Sequence, residues 1–180
     1  MKVTVFGGAD PRPGEPAYEE ARHLGALLAR AGHVVVTGGY IGTMEAASQG
    51  ACEAGGHTIG ATCDQIEQWR GVRPNRWVRE EWRSGTLFER LQALIEQSDA
   101  AIALAGGAGT LAEISLVWNL VLIDALARRP LVLVGDDWRV VFETLFDRFG
   151  AYIPTRSREL ITFAPTVERA VGLLAPVPAD

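Results

Sequence analysis

Short apolar runs rich in β-branched residues alternate with longer segments of helical periodicity along this chain. The first run covers residues 3–6 and the second covers residues 34–37, and each ends at a glycine pair. Between them, apolar residues from Ala21 to Leu28 recur at helical spacing. Strands that alternate with helices form βαβ units, whose helices cover both faces of one sheet. The pattern therefore predicts an α/β fold with a mostly parallel sheet flanked by helices on both faces.

The same alternation continues to the end of the chain. Further strands are predicted at residues 58–61, 100–104, 131–134 and 161–163. Helices are predicted at residues 16–31, 44–54, 87–95, 111–127 and 140–149, and from residue 165 onward. Residues 62–84 interrupt the pattern and are predicted to form a long connection. We expect one domain over residues 1–174, followed by a flexible tail at residues 175–180, where alanine and proline dominate.

Composition narrows the classes of function. The 180 residues are 48% hydrophobic, which is enough for a core that needs no metal or disulfide. The formal net charge of −5 disfavours binding along a nucleic-acid backbone or an anionic membrane surface. No run of about 18 apolar residues predicts a membrane span, and the first residues do not have the pattern of a signal peptide. We therefore expect a cytoplasmic protein.

Two residue types exclude particular chemistries. The only lysine is Lys2, beside the first apolar run, so neither a Schiff-base lysine nor a Walker-type phosphate lysine is available. Cys52 and Cys63 have neither CxxC spacing nor a neighbouring histidine pattern, which makes a zinc site improbable. We expect two buried free thiols and no bound metal.

Three glycine-rich turns follow predicted strands, at Gly7-Gly8, Gly38-Gly39 and Gly106-Gly107. In a parallel sheet these turns meet at one edge, where ligands of such folds bind. The third turn opens a long helix, whose free N–H groups and positive end suit a phosphate. The alternative is a set of tight strand–helix turns without a ligand. Neither GxGxxG nor GxxxxGK[ST] is present, so a mononucleotide or sugar phosphate fits better than a dinucleotide or nucleoside triphosphate.

Two charged residues are candidates for chemistry at this edge. Glu113 lies about one turn inside the helix after the third glycine turn, where it acts on a bound ligand or simply complements the helix dipole. Arg90 shares a predicted helix face with Leu87 and Leu94, which should point toward the core. An arginine there is either paired with a carboxylate or directed at a ligand phosphate.

The spacing of these residues resembles a known family. Residues 98–113, which end in GGAGTLAE, resemble the PGGxGTxxE motif of the LONELY GUY (LOG) family. Arg90 stands nine residues before Asp99, at the place of the family's catalytic arginine. Residues 38–44 resemble the family's GGGxxGLMG turn, and residues 5–8 resemble its first strand and glycine turn. The similarity extends over about residues 3–145.

This resemblance implies a Rossmann-like homodimer that hydrolyses the N-glycosidic bond of AMP or cytokinin nucleotides to free base and ribose 5-phosphate, without a metal or redox cofactor. It implies Glu113 and Arg90 as catalytic residues. It also implies a phosphate- and nucleotide-binding set, which comprises Gly8, Gly38, Gly39, Gly42, Thr43, Met44, Gly106, Gly107, Gly109 and Thr110. The family was long mislabelled as lysine decarboxylases, an activity for which this chain has no suitable lysine.

The chain departs from the family pattern at several positions. Ala105 replaces the motif's proline, Leu91 replaces the lysine after the arginine, and Leu116 replaces a second glutamate. The family's tryptophan is displaced to Trp118, and the first glycine turn continues with Ala9-Asp10 instead of serines. Relatives with this fold also serve as nucleotide or molybdenum-cofactor carriers, so binding without hydrolysis is the alternative function.

Two further features concern partners. Trp69, Trp77 and Trp82 stand among five arginines in the predicted long connection, which favours a subunit interface over a lid on a ligand. Single-stranded nucleic acid is a third possibility for this loop, disfavoured by the net charge. The helix that carries Trp118, Leu120 and Leu122 has apolar residues on more than one face, which favours burial in a homodimer.

Overall fold

The computed structural model describes residues 1–174, so the predicted tail at residues 175–180 lies outside the described residues. The strands are β1 (Lys2–Phe6), β2 (Val34–Thr37), β3 (Thr58–Cys63), β4 (Glu80–Ser84), β5 (Ala100–Ala103), β6 (Leu131–Val134) and β7 (Thr162–Ala164). The helices are α1 (Pro16–Arg30), α2 (Thr43–Glu53), α3 (Asp64–Arg70), α4 (Leu87–Glu96), α5 (Ala108–Leu122), α6 (Asp136–Arg148), α7 (Thr155–Arg158) and α8 (Val167–Gly172).

The strands form one sheet in the order β4-β3-β2-β1-β5-β6-β7, and every described pair is parallel. This confirms the predicted α/β, Rossmann-like fold. From β1 the chain builds the sheet outward to β4, then crosses to β5 on the other side of β1. The crevice outside the carboxyl ends of β1 and β5 is therefore the topological switch point, where ligands of open α/β sheets bind.

Helices cover the two faces of the sheet and define two cores. On one face α1, α2 and α8 pack over the sheet, with Leu24 and Leu28 of α1 fully buried. On the other face α4, α5 and α6 pack over it, with Ile114 of α5 and Phe142 of α6 at the centre. The central strands β5 and β6 are apolar and buried on both sides, as the continuous apolar runs predicted.

The prediction of a long connection over residues 62–84 is wrong in two places. This segment contains helix α3 and strand β4, which pairs with β3 at the edge of the sheet. The strand sequence is EEWRS, and charges such as Glu80, Glu81 and Arg83 obscure the apolar pattern of a strand. A charged edge strand is a common protection against pairing with other chains.

Some helix boundaries also differ from the prediction. Helix α5 begins at Ala108 and ends at Leu122, and the chain then turns at Asp124, whose φ is 57°. The apolar residues beyond it had extended the prediction to residue 127. Helix α6 begins at Asp136 instead of residue 140, and the short helix α7 was not predicted.

The cysteines are free thiols; Cys63 is buried and Cys52 is half-buried. Among residues 1–174, no group of three or more His, Cys, Asp or Glu side chains is arranged to hold a metal ion. Within the same residues, no helix has both the length and the apolar character needed to cross a bilayer.

Candidate active site

A cavity of about 910 Å³ opens at the switch point of the sheet. Its size is near the upper end of ordinary ligand pockets, which span about 300–1,000 Å³. The turns after β1, β2 and β5 form one side, and α3, α4 and the start of α5 form the rest. The lining residues are Gly7, Gly8, Ala9, Asp10, Tyr40, Ile41, Met44, Gln65, Ile66, Trp69, Arg70, Val72, Leu87, Arg90, Leu91, Gly107, Ala108, Gly109, Thr110, Ala112 and Glu113.

The first turn of α5 presents unpaired backbone donors to this cavity. The first backbone hydrogen bond of the helix runs from the Leu111 amide to the Gly107 carbonyl, at 3.0 Å. The amides of Ala108, Gly109 and Thr110 therefore precede the helical ladder and have no acceptor among the described residues. All three residues line the cavity. Three free donors at the positive end of a 15-residue helix suit a phosphate.

Backbone contacts hold the glycine turns together. The Gly8 amide donates to the Ala105 carbonyl at 3.0 Å, which links the turns after β1 and β5. The Gly8 carbonyl accepts from the Thr43 amide at 3.0 Å, which ties in the start of α2. These bonds use only backbone atoms, so alanine at position 105 preserves the contact.

Local sequence determines where α4 begins and hence where Arg90 stands. Thr86 and Glu89 form a capping box: the Thr86 hydroxyl accepts from the Glu89 amide at 3.3 Å, and the Glu89 carboxylate accepts from the Thr86 amide at 3.0 Å. This motif starts the helix one turn before Arg90. The apolar face of α4 then carries Arg90 toward the sheet, where it is 6% exposed.

Arg90 is held by neutral groups. Its Nε donates to the Ala61 carbonyl at 2.8 Å, and its Nη2 approaches the Gly38 carbonyl at 3.4 Å. The guanidinium also lies over the Tyr40 ring, 5.7 Å from the ring centroid. Within the described residues these contacts include no ion pair, so the carboxylate-paired alternative is not observed. A buried guanidinium with neutral partners that lines a cavity favours an anionic ligand.

Gly38 makes this arrangement of Arg90 possible. A Cβ atom at position 38 would lie 1.8 Å from Nη2 of Arg90. Any side chain there would displace the guanidinium from the strand end. The absence of a side chain at Gly38 thus leaves room for the Arg90 guanidinium, although Gly38 does not itself line the cavity.

Glu113 lies on α5 beyond the three free amides and lines the same cavity. Its side chain is half-buried, and burial raises its pKa to about 7, although the charge of Arg90 opposes the shift. A carboxyl group with a pKa near neutrality can accept or release a proton at the pH of a cell. This distinguishes Glu113 from an ordinary acidic residue in the first turns of a helix.

Comparison with known proteins adds to this geometry. A family model described as the SLOG cluster4 family matches residues 1–142. A probable cytokinin riboside 5′-monophosphate phosphoribohydrolase of Oryza sativa subsp. japonica is 34% identical over 92% of this chain and 68% of its own length. The chain belongs to the LOG family. A cytokinin riboside 5′-monophosphate phosphoribohydrolase of Mycobacterium tuberculosis is 29% identical over 97% of this chain and 93% of its own length.

Solved structures show a second use of the LOG fold. The molybdenum cofactor binding protein from the phototrophic bacterium Rippkaea orientalis superposes with a TM-score of 0.73 and 29% identity. The match covers 96% of this chain and 93% of that protein. The architecture of the LOG family is therefore compatible with binding as well as with hydrolysis.

The residues predicted for this LOG protein from its sequence fall into two groups. Those that line the cavity are Arg90 and Glu113, with Gly8, Met44, Gly107, Gly109 and Thr110. Those that stand behind the lining are Gly38, Gly39, Gly42, Thr43 and Gly106. The second group shapes the turns: Gly42 precedes α2 with a φ of 71°, and Gly106 packs closely against the Thr110 side chain.

Part of the lining was not predicted as a site. Helix α3 and the residues after it contribute Gln65, Ile66, Trp69, Arg70 and Val72. The tryptophans and arginines of this segment were the available signal, and they favoured a subunit interface. The structure divides the three tryptophans, because Trp69 lines the cavity whereas Trp77 and Trp82 do not.

The departures from the family motif also have defined places in this LOG protein. Leu91 lines the cavity, so an apolar side chain occupies the position of the family's lysine. Leu116 lies on the exposed side of α5. Trp118 packs edge-on against Phe142 and Phe146 and donates its indole N–H to the Ser157 carbonyl at 2.7 Å. Trp118 thus belongs to the core and not to the site.

Ionisable side chains of both signs line the cavity. Asp10 and Glu113 are acidic, whereas Arg70 and Arg90 are basic. The free amides of α5 add partial positive charge at one end.

Proposed function

We propose that this protein is a nucleoside 5′-monophosphate phosphoribohydrolase, which hydrolyses the N-glycosidic bond of AMP or cytokinin nucleotides. One observation carries the proposal: the three free amides of α5, the Arg90 guanidinium and the Glu113 carboxyl all face a single cavity. Together they offer a phosphate site, a fixed cation and a proton-accepting group. The names of the LOG relatives support this activity.

The residues suggest a simple sequence of events. The 5′-phosphate binds at the amides of Ala108, Gly109 and Thr110, and Arg90 neutralises phosphate charge or orients the ribose. The bond between C1′ and the base nitrogen breaks through an oxocarbenium-like state. The ionised Glu113 carboxylate stabilises that positive charge and orients a water molecule. The water oxygen bonds to C1′ as the bond between C1′ and the base nitrogen breaks. Glu113 accepts the proton that the water loses and returns it to the departing base nitrogen, so the products are free base and ribose 5-phosphate.

The test is incubation of the purified protein with AMP and other nucleoside monophosphates. We expect free base and ribose 5-phosphate in equal amounts, measured by chromatography, with no loss of rate in the presence of a metal chelator. Glu113→Gln provides the matched control, because glutamine keeps the shape and removes the carboxylate. Ligand-induced thermal stabilisation without base release would contradict hydrolysis and favour binding alone.

The second candidate function is non-hydrolytic binding of a nucleotide or of the molybdenum cofactor. The structural similarity to the Rippkaea orientalis protein supports it, as does the apolar Leu91 in the cavity wall. The two functions differ in turnover, so the same incubation distinguishes them. A ligand that co-purifies in the cavity would also favour this candidate.

We further propose that the protein is a homodimer. Trp118 and Leu120, which first suggested an interface, pack against the core of their own chain. The exposed apolar side chains of α4 and α5 outside the cavity are better candidates for subunit contacts, and they comprise Phe88, Leu111 and Leu116. Burial of such side chains between two copies would remove them from water. Sedimentation at micromolar concentration should give a dimer, and Phe88→Glu should give a monomer.

A further inference from the structure

Trp69 is an exposed aromatic residue in the wall of the cavity. Its side chain is 76% exposed although it lines the site. The Arg70 guanidinium lies over the indole, 4.9 Å from the ring centroid. Its helical neighbour Ile66 and the nearby Val72 line the same part of the cavity and give it an apolar character. A large aromatic surface left in water at a ligand site gains free energy when a flat apolar group covers it.

Polar contacts hold the helix that carries Trp69. The Glu67 carboxylate is buried and pairs with Arg73 and Arg83, both at 3.3 Å, and Arg83 also pairs with Asp64. The side chain of Gln65 accepts from the Leu87 amide at 2.8 Å, which ties α3 to the start of α4. These contacts fix α3 beside the helix that carries Arg90. The backbone position of residue 69 is therefore tied to the helix that carries the guanidinium.

The other two tryptophans of the segment have different surroundings. Trp77 is half-buried with Arg76 over its ring at 4.6 Å, and it lies outside the cavity. Trp82 packs against the core and donates its indole N–H to Glu80 at 2.9 Å. An arginine stacked on tryptophan thus occurs both in the site and away from it. The location in the cavity, and not the pair by itself, distinguishes Trp69.

We propose that Trp69 is a specificity-determining residue on which the heterocyclic base of the ligand stacks. This inference rests on the proposed function, since it names the part of the same site that recognises the base. The phosphate is bound at the first turn of α5, and the base lies toward α3. The Arg70 guanidinium covers one face of the indole, and the other face receives the base. Stacking tolerates different ring substituents but favours a purine over a smaller pyrimidine, because a purine covers more of the indole.

Binding measurements on two ligands test this proposal. AMP carries phosphate, ribose and base, whereas ribose 5-phosphate lacks only the base. Calorimetric titration is carried out in the Glu113→Gln background, which slows hydrolysis of AMP during the measurement. There Trp69→Ala should weaken AMP binding by about 5- to 150-fold, as expected for the loss of one stacked base. Ribose 5-phosphate should bind as it does to the wild type. Trp69→Phe should restore most of the AMP affinity, since phenylalanine also stacks.

Trp77→Ala is the matched control, because it removes an arginine-stacked tryptophan of the same segment outside the cavity. It should leave AMP affinity unchanged, and melting curves should show that each variant is folded. Equal AMP affinity in Trp69→Ala and the wild type would overturn the proposal, as would equal weakening of both ligands. These outcomes concern binding only. The protein could fail to hydrolyse AMP while Trp69→Ala still weakens the binding of AMP and not that of ribose 5-phosphate. That result would contradict the proposed function but would support the stacking role of Trp69.

Discussion

Glu113→Gln should lower the rate of nucleoside monophosphate hydrolysis by about 10²- to 10⁴-fold, the usual contribution of a positioned acid–base group. Glutamine cannot stabilise the positive charge at C1′ or accept a proton from water. The affinity for AMP should change little, since the proposed phosphate site consists of the backbone amides of α5 and does not include the Glu113 side chain. Steady-state kinetics together with calorimetric titration measure both effects. A variant that retains turnover would show that Glu113 is not the group that acts.

The pH dependence of the wild type follows from the same residue. Burial raises the pKa of Glu113 to about 7, so the carboxylate is only partly ionised at neutral pH. If the ionised form acts, kcat/KM should rise with pH, pass its midpoint near pH 7 and then level off. A rate that falls above pH 7 would instead assign Glu113 as a proton donor to the leaving base. The residual activity of Glu113→Gln should lack this transition.

A stability measurement controls for loss of folding. The folded-state pKa of Glu113 lies above its ordinary value of 4.5, so ionisation disfavours the folded state as pH rises through that window. Glu113→Gln should therefore unfold with a free energy higher than the wild type at pH 8, by up to about 3 kcal/mol. The difference should vanish near pH 4, where both states hold a protonated carboxyl. A variant that melts below the wild type at pH 8 would contradict the burial argument.

Gly38→Ala should abolish most activity although residue 38 does not line the cavity. The added Cβ would lie 1.8 Å from Nη2 of Arg90 and 2.6 Å from the sulfur of Met44. Arg90 must then leave the Gly38 carbonyl, and a displacement of about 1 Å in a catalytic group can reduce the rate by about 10²-fold. Overpacking should also lower the free energy of unfolding by about 1–3 kcal/mol. Kinetics and thermal melting measure these changes.

A double-mutant cycle tests the cause of that effect. In the Arg90→Ala background the guanidinium is absent, so Gly38→Ala should reduce activity and stability much less than in the wild type. Gly172→Ala controls for the substitution itself, because a Cβ there has no neighbour within 4 Å among residues 1–174. That control should retain full activity. Additive losses in the cycle would mean that Gly38 acts independently of Arg90.

The fold was largely predictable because hydrophobic periodicity is a local property of the chain. The runs at residues 3–6, 34–37 and 131–134 are apolar on both sides, and such strands occur where helices cover both faces of a parallel sheet. Strand β4 was missed because Glu80, Glu81 and Arg83 interrupt its pattern. An edge strand has one partner strand and stays partly exposed to water. Fewer of its residues therefore need to be apolar.

The candidate site was likewise predictable from the sequence only where it depends on local spacing. Its motif places Glu113 after a glycine turn on a helix, and Arg90 shares a predicted helix face with Leu87 and Leu94, so local spacing already indicated both residues. The partners of Arg90 are carbonyls of Ala61 and Gly38, which are distant in sequence and meet it only through the sheet. The raised pKa of Glu113 likewise depends on burial by the assembled cavity.

The sequence by itself therefore determined the parallel sheet, the edge at which its glycine turns meet and the two charged residues, Arg90 and Glu113, that line the cavity there. Only the tertiary structure decided that Arg90 has no carboxylate partner among residues 1–174, that burial raises the pKa of Glu113 to about 7 and that Trp69 lines the cavity while Trp77 and Trp82 do not. The physical reason is that periodicity and motif spacing reflect contacts between near neighbours in the chain. Burial, charge balance and the position of α3 arise from contacts between segments far apart in sequence.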